Sequence, residues 1–96
     1  MMQLTQSLEV VQHKRGKVLF DELNEFTEVI FPMEGSYKIG YSINKKEKFV
    51  LQYGKNVIGA YPVTFNKRCL FIYKTVSTLK GFFVRKKRWL EMINNP

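Results

Sequence analysis

Thiol and imidazole side chains are nearly absent from this 96-residue chain, which has one cysteine, Cys69, and one histidine, His13. A lone cysteine cannot form an intramolecular disulfide, and the pair cannot supply the three or four ligands of a structural zinc site. Hydrophobic runs are also short, only a few residues each, whereas a membrane-spanning helix needs about 20. Residues 1–16 lack the apolar core and small-residue cleavage site of a secretory signal. We therefore expect a cytoplasmic location, which includes the cytosolic side of a membrane protein.

Acidic residues are scarce after position 34. Residues 1–34 hold three basic and six acidic side chains, whereas residues 35–96 hold thirteen basic and two acidic ones, and the net charge is +8. The positive electrostatic field of residues 35–96 attracts nucleic acid, acidic lipid headgroups, phosphorylated small molecules or acidic proteins. Charge alone therefore does not identify the partner. We interpret the cationic run at residues 85–88 as a solvated junction between a strand and a helix, with nucleic-acid contact as the alternative.

Catalytic side chains are equally sparse. The one aspartate, Asp21, lies in an acidic segment, residues 21–26, that we expect to be an exposed connection, which argues against a Ser-His-Asp triad. Glu22 and Glu25 of this segment are interpreted as solvated carboxylates, because no apolar pocket surrounds them in the sequence. His13, beside two cations, is interpreted as a surface residue at a strand end. We expect a non-enzyme with no metal and no cofactor.

Alternating apolar and polar residues predict a mainly β chain, and the clearest strand is Tyr37–Ile43. Residues 27–33 are expected to be a buried strand, and residues 44–48 a charged turn. Residues 49–53 and 57–59 are expected to pair as a hairpin. Further strands are expected at residues 7–13, 17–20, 69–77 and 79–84. Nine apolar residues are expected to line one interior: Val29, Phe31, Ile39, Tyr41, Val50, Ile58, Phe71, Tyr73 and Phe83.

The pattern changes to a helix after Arg85, because Trp89, Met92 and Ile93 recur at the spacing of one helical face and should dock on the strands. The sequence therefore predicts one domain, residues 1–96. Its fold class is mainly β: a small antiparallel β-roll or jelly-roll barrel of about eight strands, residues 8–85, closed by a short helix at residues 86–94.

Gly35, Gly54, Gly59 and Arg68 follow one another in an order and at spacings similar to those of the cyclic nucleotide-binding domain. This β-roll is shared by catabolite-activator regulators, protein kinase A regulatory subunits and nucleotide-gated channels. The resemblance covers about residues 9–93, and its matching pieces are residues 16–20, 28–35, 54–60 and 81–93. Residues 37–46 and 65–68 most resemble the versions attached to voltage-gated potassium channels of single-celled eukaryotes.

The resemblance implies a regulatory domain whose ligand is cAMP or cGMP and whose partners are the rest of a membrane channel or neighbouring subunits. It places a phosphate-binding cassette at Ile58, Gly59, Ala60, Arg68, Cys69 and Leu70. Ala60 stands where the family has a glutamate that accepts the ribose hydroxyl, and Leu70 would crowd a bound phosphate. Pro62 should disturb the short cassette helix, and the longer helix that covers the nucleotide is expected to be missing or to lie in another segment. We therefore expect weak or no affinity for cyclic nucleotides.

Two other functions remain open from the sequence. A basic β-barrel with exposed aromatic side chains could bind RNA or single-stranded DNA, with a steep dependence on salt. A purely structural domain would instead pack against neighbouring chains and bind no ligand.

Overall fold

The computed structural model describes residues 8–94, which form seven β-strands and two α-helices. The elements are β1 (Glu9–His13), β2 (Val18–Phe20), β3 (Glu28–Glu34), β4 (Tyr37–Ile43), β5 (Lys46–Tyr53), α1 (Ala60–Thr64), β6 (Ile72–Thr75), β7 (Leu79–Arg85) and α2 (Lys86–Asn94). The strands pair antiparallel throughout, and a short helix follows the last one. The predicted fold class is confirmed, with seven strands in residues 8–94 against about eight expected.

Two sheets make up the roll. One has the strand order β1-β7-β3 and the other β2-β6-β4-β5, so successive strands often lie in different sheets. The core between them is apolar and contains Phe20, Phe26, Val29, Ile30, Tyr37, Ile58, Val63, Cys69 and Leu79. Aromatic rings fill much of it, since the Phe20 and Phe26 centroids lie 4.5 Å apart and Tyr73 packs edge-on against both. Ring pairs of this geometry stabilise a small core beyond their buried area.

Most of the nine residues predicted to line the interior do contribute to the core. Val29 and Ile58 are buried in the core, and four others pack partly buried against it: Phe31, Ile39, Tyr73 and Phe83. Val50 and Phe71 were expected inside but are 57% and 43% exposed. Val50 lies where the β4–β5 register shifts, so it is the extra residue of a bulge, and Phe71 lies at a bend before β6. Tyr41 is half-buried but lies beyond the core cluster.

Strand β4 has the predicted bounds, but the turn after it is shorter than predicted. Asn44 and Lys45 form the whole turn, with φ of 52° and 65°, and β5 begins at Lys46. Two consecutive positive φ angles suit a tight hairpin turn, and asparagine adopts them at low cost. The predicted pairing of residues 49–53 with 57–59 is wrong. Ile58 instead bridges Ile30 of β3, which closes the roll.

Helix α2 begins at Lys86, whose backbone N–H donates to the Thr27 carbonyl at 3.0 Å. It docks through Trp89, which is half-buried with its ring 6.2 Å from that of Phe31, whereas Ile93 is 41% exposed. Of the three residues on the predicted face, Trp89 and Met92 are thus partly buried and Ile93 is exposed. The 85–88 run joins β7 to α2 as predicted, three of its four cations are exposed, and Arg85 forms an ion pair with Glu9. None of the helices in residues 8–94 is long and apolar enough to cross a membrane.

Candidate functional site

Helix α1 starts at a position that requires glycine. Gly59 is buried with φ of 90°, and a β-carbon there would lie 3.0 Å from the Glu28 carbonyl oxygen and 3.2 Å from the Phe26 ring. This left-handed residue turns the chain from the Ile58 bridge into the helix. Pro62 is the third helical residue, where no intrahelical donor is needed, so the expected disturbance of the helix by Pro62 is wrong.

The chain after α1 is fixed by Cys69. Its N–H donates to the Asn24 carbonyl at 2.8 Å, its carbonyl accepts from the Leu23 N–H at 2.7 Å, and its Sγ donates to the Phe71 carbonyl at 2.7 Å. The side chain is fully buried, and burial raises the pKa of the thiol above its ordinary value. The acidic segment 21–26 is a connection that is mostly exposed, as expected, and it pairs with residues 68 and 69. Phe26 is the exception, because it is only 3% exposed.

A groove of about 360 Å³ lies between α1 and the approach to β6. Its lining is mostly apolar and consists of Phe26, Tyr61, Pro62, Lys67, Arg68, Leu70, Phe71 and Tyr73. Lys67 and Arg68 are exposed, and neither side chain makes a hydrogen bond or ion pair within residues 8–94. An apolar groove with cationic groups that have no carboxylate partner can hold a small anion that has an apolar or aromatic body.

The six cassette residues predicted from the sequence divide between this groove and the core. Arg68 and Leu70 line the groove, and Leu70 is 69% exposed. Gly59 and Ala60 start α1, whereas Ile58 and Cys69 are buried at 1% and 0% exposure. Sequence reasoning missed the other six lining residues. Five of these six lie in the run of aromatic and cationic residues between positions 61 and 73, which is the signal that could have indicated them, whereas Phe26 lies far from it in the sequence.

Helix α2 is linked to α1 by a short chain of hydrogen bonds. Trp89 Nε1 donates to Thr64 Oγ1 at 2.9 Å, and the Thr64 hydroxyl donates to the Ala60 carbonyl at 2.6 Å. The same indole packs against Phe31 of β3. The C-terminal helix therefore positions the helix that forms one wall of the groove.

Other candidate groups lie outside this groove. His13 is half-buried rather than on the surface as expected, and its Nε2 is buried with no partner among residues 8–94. Burial, followed by the nearby Lys17 charge, lowers the pKa of His13. Across the part of the chain that the structure describes, no three His, Cys, Asp or Glu side chains come together as a metal site.

No family model and no curated protein matches this chain. Solved structures do match. The regulatory domain of Toxoplasma gondii protein kinase A, solved with cAMP, superposes with a TM-score of 0.79 at 13% identity, over 92% of this chain and 35% of that one. The regulatory subunit of a cAMP-independent protein kinase A from Trypanosoma cruzi, bound to guanosine, gives 0.80 at 18% identity, over 97% of this chain and 34% of that one.

A third similar structure is the sensor domain of the transcriptional regulator DNR from Pseudomonas aeruginosa, with a TM-score of 0.79 at 16% identity, over 97% of this chain and 64% of that one. The chain has the β-roll fold of these domains. At these identities the likeness is one of fold, and this chain spans less than two thirds of each of the three.

Proposed function

We propose that this chain is a regulatory domain of the cyclic nucleotide-binding type, in which the groove beside α1 binds cAMP or cGMP weakly through Arg68. The observation that carries the proposal is the Arg68 guanidinium, which has no partner in residues 8–94 and lines an apolar groove in a β-roll. Solved domains of this fold with cAMP or guanosine support it.

The chemistry of the groove suits a nucleotide. A planar guanidinium can donate to two phosphate oxygens at once, which an ammonium cannot do in the same geometry. Lys67 adds a second positive charge at the groove. The rings of Tyr61, Phe71 and Tyr73 supply apolar surface against which a purine can pack.

Two features make the proposed affinity weak. Ala60 offers no side-chain acceptor for a ribose hydroxyl, and a lost polar contact of this kind costs about 1–3 kcal/mol. Leu70, which is 69% exposed, lines the groove next to Arg68, where its bulk would crowd a bound phosphate. We expect dissociation constants near the millimolar range rather than the micromolar range.

The wider context belongs to the same proposal. We place the domain, residues 1–96, in the cytoplasm as a non-enzymatic regulatory segment of an ion-channel-type protein, on the resemblance of residues 37–46 and 65–68 to channel-attached domains. The complete reading frame around this segment tests that part, because a channel requires membrane-spanning helices in the same polypeptide.

The binding proposal is tested by calorimetric titration of the chain with cAMP, cGMP and guanosine, each up to millimolar concentration. Arg68→Lys keeps the charge but loses the two-pronged donor, so we expect it to abolish nucleotide binding and leave the thermal unfolding temperature unchanged. Arg15→Lys makes the same change at an exposed turn residue and serves as the matched control.

Three results would contradict the proposal. One is no heat at millimolar ligand, another is equal binding by Arg68→Lys and the wild type, and the third is micromolar or tighter binding, which would refute weak affinity. A single-stranded oligonucleotide, titrated at two salt concentrations, tests the alternative nucleic-acid module, whose affinity would fall steeply with salt.

A further inference from the structure

The β4–β5 hairpin extends beyond the sheet to which it belongs. Strand β4 pairs with β6 only over residues 37–40, but with β5 as far as Ile43, which is opposite Lys46. Residues 41–48 therefore form a two-stranded ribbon with its turn at the tip. Among residues 8–94, no further strand pairs with either edge of this ribbon.

One face of the ribbon continues the core face of β4 into solvent. Side chains alternate along a strand, so the face that carries Tyr37 and Ile39 in the core carries Tyr41 and Ile43 on the ribbon. Cross-strand partners share a face, which adds three more residues from β5. We call these five residues the hairpin stripe: Tyr41, Ile43, Lys46 and Lys48 on the ribbon, and Leu51 next to the ribbon, opposite Ile39. Ile43 is 57% exposed and Leu51 is 50% exposed.

The charged side chains of the hairpin stripe, Lys46 and Lys48, are both cations. The one acidic residue of the ribbon, Glu47, belongs to the opposite face, where its carboxylate lies 3.2 Å from Lys74 Nζ. Lys45 at the turn, Lys46 and Lys48 make no ion pair within residues 8–94. The ribbon thus presents apolar side chains and three uncompensated lysines together.

We propose that the hairpin stripe docks on an anionic lipid surface. Tyrosine and isoleucine next to lysines suit the boundary between headgroups and acyl chains, where lysines meet anionic lipids and a few apolar side chains enter the boundary. A ribbon of three residue pairs is about 10 Å long, whereas a stable protein interface buries about 800 Å² on each partner. A second copy would bring the same lysines against each other in a protein of net charge +8.

The test is flotation of the 96-residue chain with vesicles of phosphatidylcholine alone or with 30% phosphatidylserine. We expect binding only to the vesicles that contain phosphatidylserine. Each lysine near such a surface contributes about fivefold to partitioning, so the triple variant Lys45→Gln, Lys46→Gln, Lys48→Gln should bind about 100-fold more weakly. Ile43→Ser should weaken binding several-fold at unchanged charge.

A second triple variant removes the same charge elsewhere: Lys55→Gln, Lys80→Gln, Lys87→Gln, all exposed positions outside the ribbon. We expect the second triple variant to bind the phosphatidylserine vesicles no more than a few-fold more weakly than the wild type. The thermal unfolding temperatures of both triple variants should match that of the wild type. Equal losses in the two triple variants would overturn the proposal, as would equal binding to neutral vesicles. Binding to duplex DNA or to an acidic protein in place of vesicles, unaffected by Ile43→Ser, would also overturn it.

Discussion

The groove region, residues 58–73, and the hairpin ribbon, residues 41–48, both present aromatic or aliphatic side chains beside lysine or arginine. They differ in how their backbones are held. The groove region is fixed from behind by buried residues such as Ile58 and Cys69, which pair with β3 and with the segment 21–26. The ribbon is held by one strand ladder, a two-residue turn and the exposed ion pair of Glu47 with Lys74.

This difference bears on what each surface can recognise. A groove on a fixed frame keeps its shape when empty, so a small ligand loses little affinity to reorganisation of the protein. A two-stranded ribbon whose side chains are mostly exposed does not enclose a pocket, but it can lie against a broad surface. Exposed apolar side chains of similar composition therefore point to different partners, according to the backbone that carries them.

Replacing Gly59 in the groove region should cause the largest loss in the free energy of unfolding. Gly59→Ala forces a side chain into a left-handed backbone and against the Glu28 carbonyl and the Phe26 ring. We expect a loss of about 2–3 kcal/mol in the free energy of unfolding, measured by urea denaturation.

Gly16→Ala is the matched control, because Gly16 also has positive φ, 79°, but a β-carbon there meets no atom within 4 Å. It should cost about 1 kcal/mol. Equal losses in the two variants would mean that the groove region gains nothing from close packing around Gly59.

The next largest loss in the free energy of unfolding should come from replacing Trp89, which links α2 to α1. Trp89→Ala removes a half-buried indole and its hydrogen bond to Thr64, so we expect a loss of about 2–3 kcal/mol, less than for a fully buried ring. Trp89→Phe keeps the packing against Phe31 and loses only the hydrogen bond, about 1 kcal/mol. If the indole fluorescence were that of a fully solvated tryptophan, the docking of α2 would be refuted.

Cys69 reports on opening of the groove region without a stability measurement. Its thiol is buried and its pKa is raised, so the reactive thiolate is scarce at pH 8, where a solvated cysteine is partly ionised. We expect slow reaction with a thiol reagent in the wild type and faster reaction in Gly59→Ala. Ile43→Ser should leave the rate unchanged. Fast labelling of the folded wild type would contradict the fixed frame.

The smallest change in the free energy of unfolding is expected for a substitution in the ribbon. Ile43 is 57% exposed and outside the core cluster, so Ile43→Ser should change the free energy of unfolding by less than about 0.5 kcal/mol. A larger loss, measured by the same urea denaturation, would show that the ribbon is packed in solution and would remove its contrast with the groove region.

Local patterns in the sequence were enough to predict the strand Tyr37–Ile43 and the helix after Arg85, because periodicity is set by neighbours in the chain. The ordered glycines and Arg68 led to the β-roll, which the structure confirms. The groove could not be predicted from the sequence, because it depends on long-range pairings such as Ile58 with Ile30 and Cys69 with Asn24. The exposure of Val50 could not be predicted because a bulge changes the alternation locally.

The most direct test of the groove as a ligand site is an amide chemical-shift titration of the isotope-labelled chain with cAMP. We expect saturable shifts, with a dissociation constant near the millimolar range, concentrated in residues 59–73 and in Phe26 behind them. Arg68→Lys should remove these shifts. Shifts centred on the ribbon at residues 41–48, or unchanged shifts in Arg68→Lys, would contradict a ligand site in the groove.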